Sequence, residues 1–202
     1  NGLPYACEFA YLQTKNKPMN TNRLSEKIEE ILNRQVRKEA TASQIYLSLG
    51  AWADSEGFAG VANFLFRHAQ EERNHMIKVM DYIMERGGRV RITGIDEPAN
   101  DPENLQECLE KVFQHEVDNT EAIYEIVNLA QEEKDWATWN FGQWFVKEQI
   151  EEEALVLDLL DKLKVAGGTK ATAESLLYLD AQFEKKEDEA TFAREASCNQ
   201  PL

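Results

Sequence analysis

Four long stretches of this chain repeat apolar residues at the α-helical period, and each breaks its apolar stripe with a carboxylate near its middle. The first, about 23–50, carries Leu24, Ile28, Ile31, Leu32, Ala42, Tyr46 and Leu49, with Glu39 on the same face. The second, about 58–86, reads Val61, Leu65, His68, Glu72, His75, Val79 and Ile83. In the third, about 104–132, Leu105, Leu109, Val112, Ile123, Ile126 and Ala130 flank Glu116 and Asn119. The fourth runs from an Asp135 cap to about 165, with Phe141, Phe145, Val156, Leu159 and Leu163 around Glu148, Gln149 and Glu152. Helices of this length with one apolar face each pack as a bundle.

The carboxylates fall at one level. Helix midpoints, taken from these bounds, lie near residues 37, 72, 118 and 150, to within about two to four residues. Midpoints of a bundle coincide whichever way each helix points, so the acids and His75 converge at one depth in the core. A single glutamate on an amphipathic helix normally sits on the solvated face. Several isolated carboxylates in a core cost several kcal/mol each unless they are protonated or bind cations. Glu72-x-x-His75 places a carboxylate and an imidazole three residues apart on one helix face, a spacing that can hold one metal ion. An oxygen-rich donor set with one histidine favours iron or manganese over structural zinc. Glu72 is best placed to bridge two ions, as in helix-bundle dimetal sites. His68, one turn earlier, reads as structural.

Residues 89–103 form a loop unusually long for a compact domain, with Gly94, Pro98 and Pro102 in it. A helix of about 28 residues is about 42 Å long, and some 15–17 extended residues reach about 50 Å. The loop can therefore cross the whole bundle and make the second and third helices parallel. Gly87-Gly88 and Gly167-Gly168 stop the second and fourth helices, and a short fifth helix is expected over 173–183. The fold class is thus all-α, a four-helix bundle with a long crossover between its second and third helices and a short C-terminal helix. Residues 1–22 read as an extension, 23–183 as the bundle and 184–202 as a tail.

With 37 acidic against 22 basic residues and a net charge of −15, the chain suits cations and not nucleic acid. No run approaches the roughly 18 apolar residues of a membrane span. The segment Leu3 to Leu12 lacks the basic leader of a secretory signal, so a cytoplasmic location is expected. Cys7, Cys108 and Cys198 form no C-x-x-C pair, which excludes a cysteine-based zinc or rubredoxin-type iron site and fits a reducing compartment.

Glu39 with Tyr46, R-H-A-Q-E-E-R-N-H over 67–75, His115-Glu116 and W-F-V-K-E-Q-I-E-E-E over 144–153 together resemble the non-haem bacterial ferritins. The match covers about residues 23–182, including the crossover and the fifth helix. The resemblance implies a cage of 24 identical subunits that oxidises Fe(II) with O2 and stores ferric mineral. It implies that Glu39, Glu72 and His75 bind a first iron, and that Glu72 and Glu116 bind a second with Gln149 nearby. Glu71, Glu148, Glu151 and Glu152 match an acidic third site, with Glu152 shared with the second iron. Tyr46 matches a tyrosine beside the centre and Trp144 an aromatic that supplies an electron. Bacterioferritins repeat Glu-x-x-His, where the fourth helix here has Gln149-x-x-Glu152, and they hold haem through a methionine where this chain has Arg73. No haem is therefore expected. The rival readings are an oxygenase acting on an organic substrate and a non-catalytic helical interaction protein, which would leave the core acids unexplained.

Overall fold

Ser25 starts the first long helix: its hydroxyl accepts the Ile28 backbone N–H at 3.2 Å, satisfying a donor that a helix start leaves open. In the computed structural model, which describes residues 19–98 and 100–183, α1 spans Glu26–Ser55 and α2 Ala59–Glu85. Helix α3 follows at Leu105–Glu132, α4 at Trp136–Ala166 and α5 at Ala173–Phe183, with a 3-10 turn at Gly168–Lys170 before α5. Every regular element among the described residues is helical, as the periodicity requires. Asp135 caps α4 by accepting the Thr138 N–H at 3.1 Å, and Gly167 ends it in the left-handed conformation at φ +118°. The expected N-terminal extension up to residue 18, the tail from 184, Cys7 and Cys198 lie outside the described residues. Cys108 is a buried free thiol whose pKa burial pushes up to about 12.

Helix α1 departs from its expected bounds: it begins three residues later than Arg23 and continues through Gly50 to Ser55. Gly50 does not terminate it because it serves close packing. A Cβ there would stand 2.7 Å from the Phe66 ring. Gly57, at φ +86°, takes the stopping role instead.

Three contacts fix the helix directions. The Arg23 N–H donates to the Arg86 carbonyl at 2.8 Å, so α1 begins where α2 ends. Ser25 donates to Glu133, and Lys27 lies 3.6 Å from the same carboxylate, so α3 also ends there. Helices α2 and α3 are thus parallel, and the crossover has to travel the length of the bundle. It runs along α1: Asn33 donates to the Arg89 carbonyl at 3.0 Å and accepts from Arg91 N at 2.6 Å. Further on, Arg37 pairs with Asp96 at 3.0 Å and Lys111 of α3 donates to the Asn100 carbonyl at 3.0 Å. At the far end α5 docks on α2 through the buried Asp180, whose carboxylate accepts the Gly60 and Val61 backbone N–H groups at 3.0 and 2.8 Å.

The core divides into two apolar clusters. One, toward α5, contains Leu49, Phe64, Leu65, Leu109, Val156, Leu179 and Phe183. The other, toward the start of α1, contains Ile28, Leu32, Val79, Ile83, Ile126 and Phe145. A polar layer lies between them.

Candidate metal centre

That layer consists of Gln35 and Glu39 from α1, Glu72 and His75 from α2, Glu116 and Asn119 from α3, and Gln149 and Glu152 from α4. None of the eight is more than 5% exposed. The carboxylates that interrupt the four stripes therefore face one another inside the bundle and not solvent.

Two of the acids are supported by neutral donors. Gln35 donates to Glu39 Oε1 at 2.7 Å and also reaches Asn119 Oδ1 at 2.7 Å. The Tyr46 hydroxyl donates to Glu116 Oε1, and Gln149 donates to Glu116 Oε2 at 3.1 Å. Asn119 in turn donates to Gln149 Oε1 at 3.3 Å, closing a chain of amides that fixes both carboxylates. The remaining oxygens are different. Glu39 Oε2, both Glu72 oxygens and His75 Nδ1 are buried with no hydrogen bond from the rest of the fold, and the three side chains face one another. Leaving such groups unmatched costs about 1–3 kcal/mol each, and more where they are charged.

Electrostatics follow from this crowding. Burial and then the Glu72 carboxylate hold the Glu39 carboxyl well above the usual range. Burial and then Glu116 do the same to Glu72. Glu116 is pushed up to about 7, by burial first and by Glu152 second, against the lowering effect of the Tyr46 and Gln149 hydrogen bonds. Burial, with Glu116 and Glu72 behind it, raises the Tyr46 phenol, so Tyr46 stays a donor. Without a cation the layer keeps protons; with one it can release them.

Among the described residues, three groups of side chains bring one donor atom each within 4.8 Å of one another. These are Glu39 with Glu72 and His75, Glu71 with His75 and Glu148, and His68 with Glu71 and Glu152. In the first, His75 Nδ1 lies 3.9 Å from Glu72 Oε1, the contact expected of Glu-x-x-His on one helix. In the second, His75 Nε2 lies 3.9 Å from Glu148 Oε1. Glu116 stands across the layer, held by Tyr46 and Gln149, and does not join a three-residue group. Glu151 points outward to Lys147 Nζ at 3.1 Å, apart from Glu71, Glu148 and Glu152. Trp144 is partly exposed and packs edge-on against His75 at 5.4 Å between ring centroids, with Lys78 Nζ 4.0 Å above its ring.

Gln35 belongs to no motif in the sequence, and His68, expected to be structural, faces Glu71 and Glu152. Gln35 was within reach, since it precedes Glu39 by one helical turn and follows Leu32 by three residues, so it shares the inward face. His115 lies edge-on to Tyr46 at 5.6 Å, and burial with Lys38 lowers it to about 4, so it is a neutral support behind the tyrosine.

Residues 29–166 match the family described as Ferritin-like domain. The chain belongs to the ferritin family. It is 43% identical over 144 residues to a probable bacterial non-heme ferritin-like protein of Haemophilus influenzae, covering 71% of this chain and 87% of that protein. It is 37% identical over 153 residues to the bacterial non-heme ferritin of Escherichia coli O157:H7, covering 76% and 91%. Among solved structures, the open-pore ferritin of the archaeon Archaeoglobus fulgidus superposes with a TM-score of 0.77 at 41% identity, over 81% of this chain and 98% of that one. No helix among the described residues is long and apolar enough to cross a membrane.

Proposed function

We propose that this chain oxidises Fe(II) with O2 at the buried carboxylate layer and stores the ferric product inside a hollow assembly of 24 copies. The observation that carries the reading is the Glu39–Glu72–His75 group, whose Glu39 Oε2, Glu72 oxygens and His75 Nδ1 converge in a ferritin-family core with no hydrogen bond from the rest of the fold.

Fe(II) is the substrate. Glu39, Glu72 and His75 take one ion; Glu72, bridging, and Glu116 take the second, with Glu152 able to reach it. Each ion gives one electron, and dioxygen accepts the pair. Carboxylates favour the ferric over the ferrous state because their charge is fixed and close. Tyr46 and Gln149 hold the Glu116 carboxylate in place while the ions change charge. Protons displaced from Glu39, Glu72 and Glu116 leave as the ions arrive. Glu71 and Glu148, with His75, supply the ligands of a third iron position on the α2/α4 seam, and Trp144 beside His75 supplies a further electron. We place the protein in the cytoplasm, where reducing conditions keep iron ferrous.

The test is the Glu72→Ala variant, loaded with Fe(II) anaerobically and then exposed to air. Removing the bridge should slow oxidation by at least tenfold against the unmodified protein. Equal rates would remove the bridging role and the reading with it.

A further inference from the structure

His68 occupies a position the di-iron reading does not use. Residues 68, 71, 72 and 75 follow the i, i+3, i+4, i+7 spacing of one helix face, so His68 lies one turn from the centre on the side toward α5. It is 9% exposed. Its ring is clamped by Phe64, at 4.2 Å between centroids, and by Tyr46, edge-on at 6.2 Å. The clamp aims Nδ1 at two carboxylates on two helices: Glu152 Oε2 at 3.4 Å and Glu71 Oε2 at 3.7 Å.

Those distances exceed the roughly 2.7–2.9 Å of a charge-assisted hydrogen bond. They match the edge between two ligands that each lie about 2.0–2.2 Å from a shared ion, which spans about 3.0–3.7 Å at ordinary coordination angles.

We propose that His68, Glu71 and Glu152 form a separate site for a divalent cation of borderline softness, of the class of Zn(II), Co(II) and Fe(II). It differs from the third position of the functional reading by leaving out Glu148 and drawing on the imidazole nitrogen of His68 together with Glu152. Its ligand Glu152 is also the acid that reaches the second iron, so the two positions compete for one side chain. The inference shares Glu71 and Glu152 with that reading and is otherwise independent of it.

The probe is Co(II), which N/O sites bind well and air does not readily oxidise here. Crystals of the assembled, full-length protein grown with Co(II) should show an anomalous peak at the cobalt edge within coordination distance of His68, Glu71 and Glu152. The His68→Phe variant should lose that peak and keep the one at Glu39, Glu72 and His75. Glu71→Gln should at least halve occupancy at His68, which decides the matter if the phenylalanine variant does not fold. No peak at His68 in the unmodified protein, or one that survives in His68→Phe, overturns the proposal. Cobalt at the layer but not at His68 removes this site alone; cobalt at His68 but not at the layer removes the ferroxidase reading alone.

Discussion

Glu116 shows what a carboxylate costs in this core. Its pKa in the fold is about 7, chiefly from burial, against about 4.3 for an unfolded glutamate. The folded state therefore binds the proton more tightly than the unfolded chain does. Stability is fully present below about pH 4 and is lost as pH rises through about 7, by on the order of 3 kcal/mol per chain from this residue. Metal-free protein should accordingly melt at lower temperature at pH 8 than at pH 5.5, and Glu116→Gln should flatten that slope. A metal-free melting temperature independent of pH over this range would show that Glu116 is not buried as described. The same group gives a second prediction. The Tyr46 hydrogen bond lowers the Glu116 pKa, so Tyr46→Phe should raise it and move the midpoint of anaerobic Fe(II) binding to higher pH. An unmoved midpoint in a calorimetric pH series would argue that Tyr46 acts elsewhere. At this scale the sequence made the inward acids legible, because each interrupts an apolar period. It did not reveal that Glu151 faces Lys147 or that His68 faces Glu152, since both depend on rotamers and on how α2 lies against α4.

Among the elements, α5 depends on a polar anchor. Asp180 caps the start of α2 from another helix, and α2 has no side-chain cap of its own at Phe58. Gly60 allows the approach, since a Cβ there would stand 2.1 Å from the Asp180 carbonyl oxygen. Asp180→Ala should cost about 1–2 kcal/mol in denaturant unfolding. It should also expose α5 to protease before the rest of the chain; simultaneous cleavage of both would show that α5 is not held by this bond. The crossover was legible from its length alone, because 15–17 residues have few other ways to be used in a short helical chain. The sequence places the end of α1 near residue 50 rather than at Ser55, because a glycine that ends a helix and one that admits a neighbouring ring look alike until the ring is placed. The Gly168–Lys170 turn gave no periodic signal because it is too short to have one.

At the scale of the whole molecule, a polar layer between two apolar clusters is the arrangement that the four interrupted stripes require. The clusters stabilise the bundle, and the layer brings together groups able to hold cations at a cost in stability. Twenty-four copies of a 23.2 kDa chain make a particle of about half a megadalton. Sedimentation of the unmodified protein should find that mass, while a monomer or dimer would contradict storage in a closed cavity. The faces that build such an assembly are not legible in one chain, because exposed Trp136, Leu177 and Tyr178 look alike whether a copy or solvent covers them. The central claim concerns the layer itself. The most direct measurement is the anomalous iron signal from crystals of the assembled protein grown anaerobically with Fe(II). Two iron positions on either side of Glu72, one reached by Glu39 and His75 and the other by Glu116, are the predicted result. Iron found only outside the layer, with none between the two apolar clusters, would contradict it.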